Sequence, residues 1–261
     1  LIKLLNDEPE KVFHIAFSGG STPALMFDVW ANEYSNITPW ERIKVWWVDE
    51  RCVRPENSES NYGMMRMLLL DVVPIPHSNI FRIMGENKPA DEAVRYSHLV
   101  RKNLPVENDM PVFDIVLLGA GNDGHTSSIF PGQEHLLTSS EVYEATYNPN
   151  SGQSRIALTG QPIINAEKVI FLIMGKEKAD VVSEICMSGD TGPAAYVAHH
   201  AREVELFLDQ RHTRLCHASL LLSEKEESTF FRKGEREADK GGGAQGRAGE
   251  SLSGHLRGIS A

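Results

Sequence analysis

The sequence lacks the features that mark several common classes of protein. Its cysteines, Cys52, Cys186 and Cys216, are odd in number and widely spaced, which argues against a disulfide framework and for a reducing compartment. No CxxC pair and no HExxH motif is present, so we expect no zinc site. Apolar runs are far shorter than the roughly 20 residues of a membrane-spanning helix. No signal peptide is visible, and we expect a cytoplasmic protein without a membrane partner.

Positive charge is also scarce. The chain has 26 Lys and Arg against 36 Asp and Glu, a net charge of −10. Surfaces that bind nucleic acid are more often basic, so we expect no nucleic-acid partner. An acidic protein that binds an anionic metabolite must place its few cations close to the ligand. The Arg and Lys residues near glycine-rich turns are therefore of special interest.

Short apolar runs alternate with amphipathic segments along most of the chain. The runs at 12–17, 43–48, 112–118, 168–174 and 203–208 have the length of buried strands, whereas the segments between them, such as 89–104, have helical character. This alternation predicts an α/β fold with a doubly wound, mostly parallel sheet flanked by helices, a Rossmann-like three-layer arrangement. Residues 142–145 and 155–159 add further predicted strands, the first at the outside of the sheet.

The composition changes after residue 210. We expect residues 1–210 to form one α/β domain, whereas 224–261 is rich in Lys, Glu, Gly and Ser. Such a composition is typical of disorder. The segment 211–261 is therefore predicted to be a disordered tail, either a genuine extension or the product of a shifted reading frame. The sequence leaves the oligomeric state open.

A glycine-rich turn follows the first predicted strand. It consists of Ser18, Gly19, Gly20, Ser21 and Thr22, with Ser21 or Thr22 as the expected N-cap of the next helix. Glycine lets the backbone N–H groups approach a ligand, and the helix adds its positive end. The turn matches neither GxGxxG nor the lysine-bearing phosphate loop. It predicts an anion site, with an ordinary strand-to-helix turn as the alternative.

A second glycine-rich stretch, at 117–131, places one histidine after the central strand. His125 is suited to exchange a proton near neutral pH. Asp123 is close enough in sequence to orient it or tune its charge. We predict that His125 is a general base, with a structural role in capping the following turn as the alternative.

Further charged residues are predicted at the same edge of the sheet. Asp49 and Arg51 follow the second strand, Arg155 opens a later strand, and Lys178 lies in the first turn of a predicted helix. An Arg at this edge suits a two-pronged hydrogen bond to phosphate, and a Lys at a helix N-terminus is slightly unfavourable unless it has another task. The alternative for each is a solvated side chain or an ordinary ion pair.

The joint pattern resembles the 6-phosphogluconolactonase family, which shares its fold with glucosamine-6-phosphate deaminases. The resemblance rests on Ser-Gly-Gly-Ser-Thr-Pro from Ser18, Asp-Glu-Arg from Asp49, and Gly-x-Gly-x-Asp-Gly-His-Thr-x-Ser-x-Phe-Pro from Gly119, together with the settings of Arg155 and Lys178. It covers about residues 13–210. Deaminases typically continue Asp-Gly-His with Ile-Ala-Phe-Asn-Glu-Pro, so the Thr-Ser-Ser that follows His125 favours the lactonase.

The resemblance implies hydrolysis of 6-phospho-D-glucono-1,5-lactone to 6-phosphogluconate in the oxidative pentose phosphate pathway. His125 would activate water with Asp123 as its partner. The turn 18–22 and the residues Asp49, Arg51, Arg155 and Lys178 would bind the phosphosugar. No metal or organic cofactor is expected. Two alternatives stay open at this point: deamination or isomerisation of an amino-sugar phosphate, and a phosphosugar-binding protein without catalytic activity.

Overall fold

The structure is a computed structural model, and it describes residues 1–187 and 189–209. The predicted tail at 211–261 lies outside the described residues. The described helices are α1 (Ile2–Asp7), α2 (Ser21–Glu33), α3 (Asn61–Met65), α4 (Pro89–Asn103), α5 (Gly160–Ile164), α6 (Ala179–Cys186) and α7 (Pro193–His200). The described strands are β1 (Phe13–Phe17), β2 (Ile43–Trp47), β3 (Asp49–Arg51), β4 (Val106–Glu107), β5 (Met110–Pro111), β6 (Ile115–Leu118), β7 (Tyr143–Tyr147), β8 (Ser154–Leu158), β9 (Lys168–Ile173) and β10 (Val204–Leu208).

A five-stranded parallel sheet forms the centre of the fold. Its strand order is β10-β9-β6-β1-β2, and every neighbouring pair is parallel. All four residues of β6 are buried, as expected for a strand covered on both faces. The predicted doubly wound sheet flanked by helices is therefore confirmed.

The strand order reverses direction between β1 and β6. From β1 the chain continues to β2 on one side, whereas β6, β9 and β10 lie on the other. In open α/β sheets the loops that leave the carboxyl ends of two such strands diverge and form a crevice for ligands. The loops after β1 and β6 are the two glycine-rich stretches, so the topology brings them to this crevice.

A second, antiparallel sheet was not predicted. Its strand order is β3-β8-β7, and only Val48 separates β3 from β2. The Val48 N–H donates to Phe17 O at 3.0 Å, and its carbonyl accepts from Leu158 N at 2.8 Å, so Val48 joins the two sheets. The strand predicted at 142–145 belongs to this second sheet and does not extend the parallel one.

The indole of Trp46 is buried in the core, where it stacks on Phe81 with ring centroids 4.2 Å apart. Cys52 is a free thiol. Among the described helices, none is long and apolar enough to cross a membrane. The described residues also contain no cluster of three His, Cys, Asp or Glu side chains that could hold a metal ion.

Candidate active site

The first glycine turn leaves β1 next to β6. Ser18 N donates to Leu117 O at 3.0 Å, which extends the pairing of the two strands into the turn. Gly20, with φ 113°, is the N-cap of α2, so the prediction that Ser21 or Thr22 caps the helix is wrong. A positive φ favours glycine, whereas Ser21 and Thr22 occupy the first helical turn, where N–H groups have no intrahelical acceptor. These N–H groups and the two hydroxyls are available donors for an anion.

The second glycine turn folds tightly enough to bring its histidine back to the strand end. Gly121 N donates to His125 O at 2.8 Å, and Gly124 N donates to Gly121 O at 3.1 Å. Gly124 has φ 81°, a conformation that suits glycine. Thr126 Oγ1 donates to Gly119 O at 2.8 Å and closes the far side of the turn.

His125 and Asp123 form a hydrogen-bonded pair. The His125 Nδ1 to Asp123 Oδ1 distance is 2.6 Å, and the two side chains are 34% and 40% exposed. Burial raises the pKa of Asp123, but attraction and hydrogen bonding to His125 outweigh it and leave this pKa lowered. An ionised carboxylate only accepts, so Nδ1 carries the proton of the neutral imidazole and Nε2 keeps its lone pair. The structure thus supports the predicted orienting role of Asp123.

Gly121 makes room for this pair. A Cβ on Gly121 would lie 2.1 Å from His125 Nδ1 and 2.4 Å from Asp123 Oδ1. Both distances are well inside van der Waals contact, so the imidazole and the carboxylate occupy the space of a missing side chain. The Phe130 ring packs beside the imidazole, with the two ring centroids 4.4 Å apart.

Asp49 connects the two glycine turns. Its carboxylate accepts from Ser128 Oγ at 2.5 Å and from Asn61 Nδ2 at 3.2 Å. Asn61 is also packed against the first turn, since a Cβ on Gly19 would lie 1.8 Å from Asn61 Oδ1. Asn61 therefore links Asp49 to the first glycine turn (residues 18–22, called the anion turn after its predicted role), and Ser128 links it to the second (residues 119–131, the histidine turn).

Arg51 and Arg155 lie directly opposite each other on β3 and β8. Burial lowers the pKa of Arg155, and the charge of Arg51 lowers it further. Within the described chain, neither guanidinium forms an ion pair; Arg51 donates to Glu59 O and Arg155 to Gln153 Oε1. Two cations held side by side repel each other, and a bound anion would relieve that repulsion.

Lys178 contacts the start of the histidine turn. It ends a short 3-10 turn, Lys176–Lys178, and is the N-cap of α6. Lys178 therefore lies just before the helix, and the prediction that it lies in the first helical turn is wrong. Its Nζ donates to Ala120 O at 2.7 Å. Burial lowers its pKa, opposed by the charges of Glu177 and Asp123. Lys178 thus supports the histidine turn and adds positive charge beside it.

Contacts join Asp49, through Asn61 and Ser128, to the two glycine turns, and join Lys178 to the second of them. The contacts of the described residues do not join the side chains of Ser21, Thr22, Arg51 or Arg155 to the histidine–carboxylate pair. Sequence reasoning missed Asn61, Ser128 and Glu50 as parts of the site's framework. The buried carboxylate of Glu50 accepts from Asn61 N and Tyr62 N, each at 2.8 Å, and so fixes the start of α3. The sequence does contain a signal for Glu50, which is a charged residue close after a buried strand. Burying an ionised side chain there costs free energy unless it is hydrogen-bonded.

The fold and this site define an α/β protein with a histidine–carboxylate pair at the switch point of its parallel sheet and two opposed arginines on β3 and β8. Comparison with known proteins gives the class a name. A family model described as glucosamine-6-phosphate isomerases/6-phosphogluconolactonase matches residues 3–206. The chain belongs to this family, which confirms the resemblance read from its motifs.

Individual relatives agree with the assignment. The chain is 37% identical over 192 residues to the 6-phosphogluconolactonase of Treponema pallidum, covering 74% of this chain and 78% of the relative. It is 38% identical over 210 residues to that of Haemophilus influenzae, covering 77% and 87%. Among solved structures, it resembles 6-phosphogluconolactonase from Trypanosoma cruzi with a TM-score of 0.71 and 28% identity, covering 82% of this chain and 88% of that one.

Proposed function

We propose that this protein hydrolyses 6-phospho-D-glucono-1,5-lactone to 6-phospho-D-gluconate in the oxidative pentose phosphate pathway. The observation that carries the proposal is the His125–Asp123 pair, held at the crevice between β1 and β6. Relatives that match most of this chain are named 6-phosphogluconolactonase, which supports the same substrate and makes the protein a hydrolase of a lactone ester.

In the proposed mechanism, His125 acts as the general base. Its Nε2 takes a proton from water as the water oxygen attacks C1 of the lactone. The tetrahedral intermediate then collapses, the bond from C1 to the ring oxygen breaks, and the imidazolium returns the proton to that oxygen. Asp123 stabilises the imidazolium that forms in between. A positioned base contributes on the order of 10²–10⁴-fold to such a step, and the reaction consumes only water.

Phosphate binding would hold the lactone against His125. The opposed guanidiniums of Arg51 and Arg155 suit a dianion, and two-pronged hydrogen bonds fix its orientation. The donors of the turn 18–22 and the ammonium of Lys178 add positive potential around the crevice. Asp49 accepts two hydrogen bonds, and its remaining lone pairs suit hydroxyl groups of the sugar. Binding energy from the phosphate is thereby used to orient the reacting carbonyl.

The turn after His125 argues against amino-sugar deamination. Ser127 Oγ donates to Leu158 O at 2.7 Å, and Ser128 Oγ donates to Asp49. These positions carry hydroxyls that are already engaged with the framework, and none supplies a carboxylate for ring opening. Lactone hydrolysis needs only the base, the water and the anion site that are present.

The test measures lactone loss and acid release by the purified protein, corrected for spontaneous hydrolysis. We expect wild-type protein to accelerate both, and His125→Ala to lose roughly 10²–10⁴-fold of the rate. His135→Ala, which alters an exposed histidine, is the matched control and should keep wild-type rates. Ammonia release from glucosamine 6-phosphate would instead support a deaminase. Saturable 6-phosphogluconate binding without any turnover would support a non-catalytic sensor.

A further inference from the structure

Asp49 is held by two side chains that are almost entirely buried. Ser128 and Asn61 are only 5% and 2% exposed. They donate hydrogen bonds to different oxygens of the Asp49 carboxylate: Ser128 Oγ donates to Oδ2, and Asn61 Nδ2 donates to Oδ1. Hydrogen bonds to an ionised carboxylate are stronger than those between neutral groups. The direction of the Asp49 side chain is therefore fixed from both sides.

Each of the two partners has one unfavourable feature apart from its hydrogen bond to Asp49. Asn61 Oδ1 is one of two buried side-chain atoms in the described residues without a hydrogen-bond partner, and leaving a buried acceptor unpaired costs stability. Ser128 has φ 54° and follows Ser127 at φ 52°, a rare conformation for residues with side chains. Local strain of this kind clusters at functional sites. Stability alone does not account for these two arrangements, whereas fixing Asp49 does.

The same contacts tie Asp49 to both halves of the site. Asn61 Nδ2 also donates to Asp49 O at 2.9 Å, and its amide packs against Gly19 of the anion turn. Ser128 is three residues beyond His125 in the histidine turn. These contacts fix the position of the Asp49 carboxylate relative to the anion donors and to the imidazole of His125.

We propose that Asn61 and Ser128 are positioning residues that act through Asp49, by fixing its carboxylate to accept a hydrogen bond from a sugar hydroxyl of the phosphosugar. The inference rests on the proposed function. It assigns to the same site a carboxylate that selects for substrates with a hydroxyl at this position. Because the hydroxyl is bound alike in the ground and transition states, loss of either positioning residue weakens binding and leaves the chemical step intact.

Ser128→Gly removes the hydroxyl while glycine keeps the positive φ, and Asn61→Ala removes the amide. Each should raise KM for the lactone about fivefold, with kcat changed less than about twofold. Ser127→Gly is the matched control, because its hydroxyl bonds Leu158 O and not Asp49; it should keep the wild-type KM. A purely structural loss would lower the amount of active protein, and thus kcat, without raising KM.

The decisive comparison uses the Asp49→Ala background. There, Ser128→Gly should have no further effect on KM, because the group through which it acts is gone. Unchanged KM in both single variants, or an undiminished effect of Ser128→Gly in the Asp49→Ala background, would overturn the inference. If wild-type protein shows no turnover, the proposed function fails instead. The same variants are then compared by calorimetric binding of 6-phosphogluconate, where the fivefold weakening is again expected.

Discussion

Replacing Gly121 by alanine tests whether catalysis depends on the placement of the histidine–carboxylate pair. Gly121 does not have a positive φ, so alanine is not strained by its backbone. The new methyl group would, however, start 2.1 Å from His125 Nδ1 and 2.4 Å from Asp123 Oδ1. The substitution therefore acts on the pair and not on the turn that carries it.

The size of the effect follows from these distances. Ordinary van der Waals contact begins at 3.4 Å, so the imidazole must retreat by more than 1 Å from its present position. A misplacement of about 1 Å at a reacting group costs about 100-fold in rate. We expect Gly121→Ala to lower kcat by about that factor, while KM stays near the wild-type value because the anion donors are untouched.

Steady-state lactone hydrolysis at saturating substrate measures the effect, and a thermal melt confirms that the variant is folded. Gly119→Ala is the control from the same turn, since a Cβ there meets nothing within 4 Å; it should retain the wild-type kcat. A folded Gly121→Ala protein with wild-type kcat would refute the view that this geometry carries the reaction.

Three further predictions concern the charged groups. Asp123→Asn should lower kcat by at least 100-fold, because an amide no longer holds His125 in one tautomer. The fold lowers the pKa of Asp123 from 3.8. In an acid-denaturation experiment, the stability that the wild type gains from this pair should therefore be present above pH 3.8 and be lost as the pH falls through the lowered pKa. Arg155→Met should raise KM about tenfold or more without loss of thermal stability, because it removes one phosphate ligand together with its repulsion from Arg51; an unchanged KM would exclude Arg155 from the anion site. Glu50→Gln should lower the free energy of unfolding by about 1–3 kcal/mol in urea titrations, because its new NH₂ group faces backbone donors; equal stability would contradict the role of Glu50 in fixing the start of α3.

The parallel sheet was predictable because its signals are local. Each buried strand is a continuous apolar run bounded by turn residues, and parallel sheets covered on both faces require such runs. The second sheet was not predictable in the same way. β3 consists of Asp49, Glu50 and Arg51, whose composition is typical of a loop, and it becomes a strand only because it pairs with β8 more than a hundred residues later.

The same distinction applies to the site. His125 and Asp123 follow a strand and lie within one turn, so their proximity follows from the sequence. The opposition of Arg51 and Arg155 depends on the register of two distant strands. The contact of Asn61 with Gly19 and Asp49 depends on how α3 packs against two loops. Sequence patterns identify groups with suitable chemistry, whereas long-range packing decides which of them meet.

Chemical rescue of His125→Ala by imidazole tests the central claim most directly. Removing the side chain leaves a space beside Asp123, where a free imidazole can bind and accept a proton from water. We predict that imidazole restores lactone hydrolysis by the variant with saturation kinetics, and that the double variant with Asp123→Ala is rescued less. Acceleration no greater than the buffer-catalysed reaction without protein would contradict His125 as the general base.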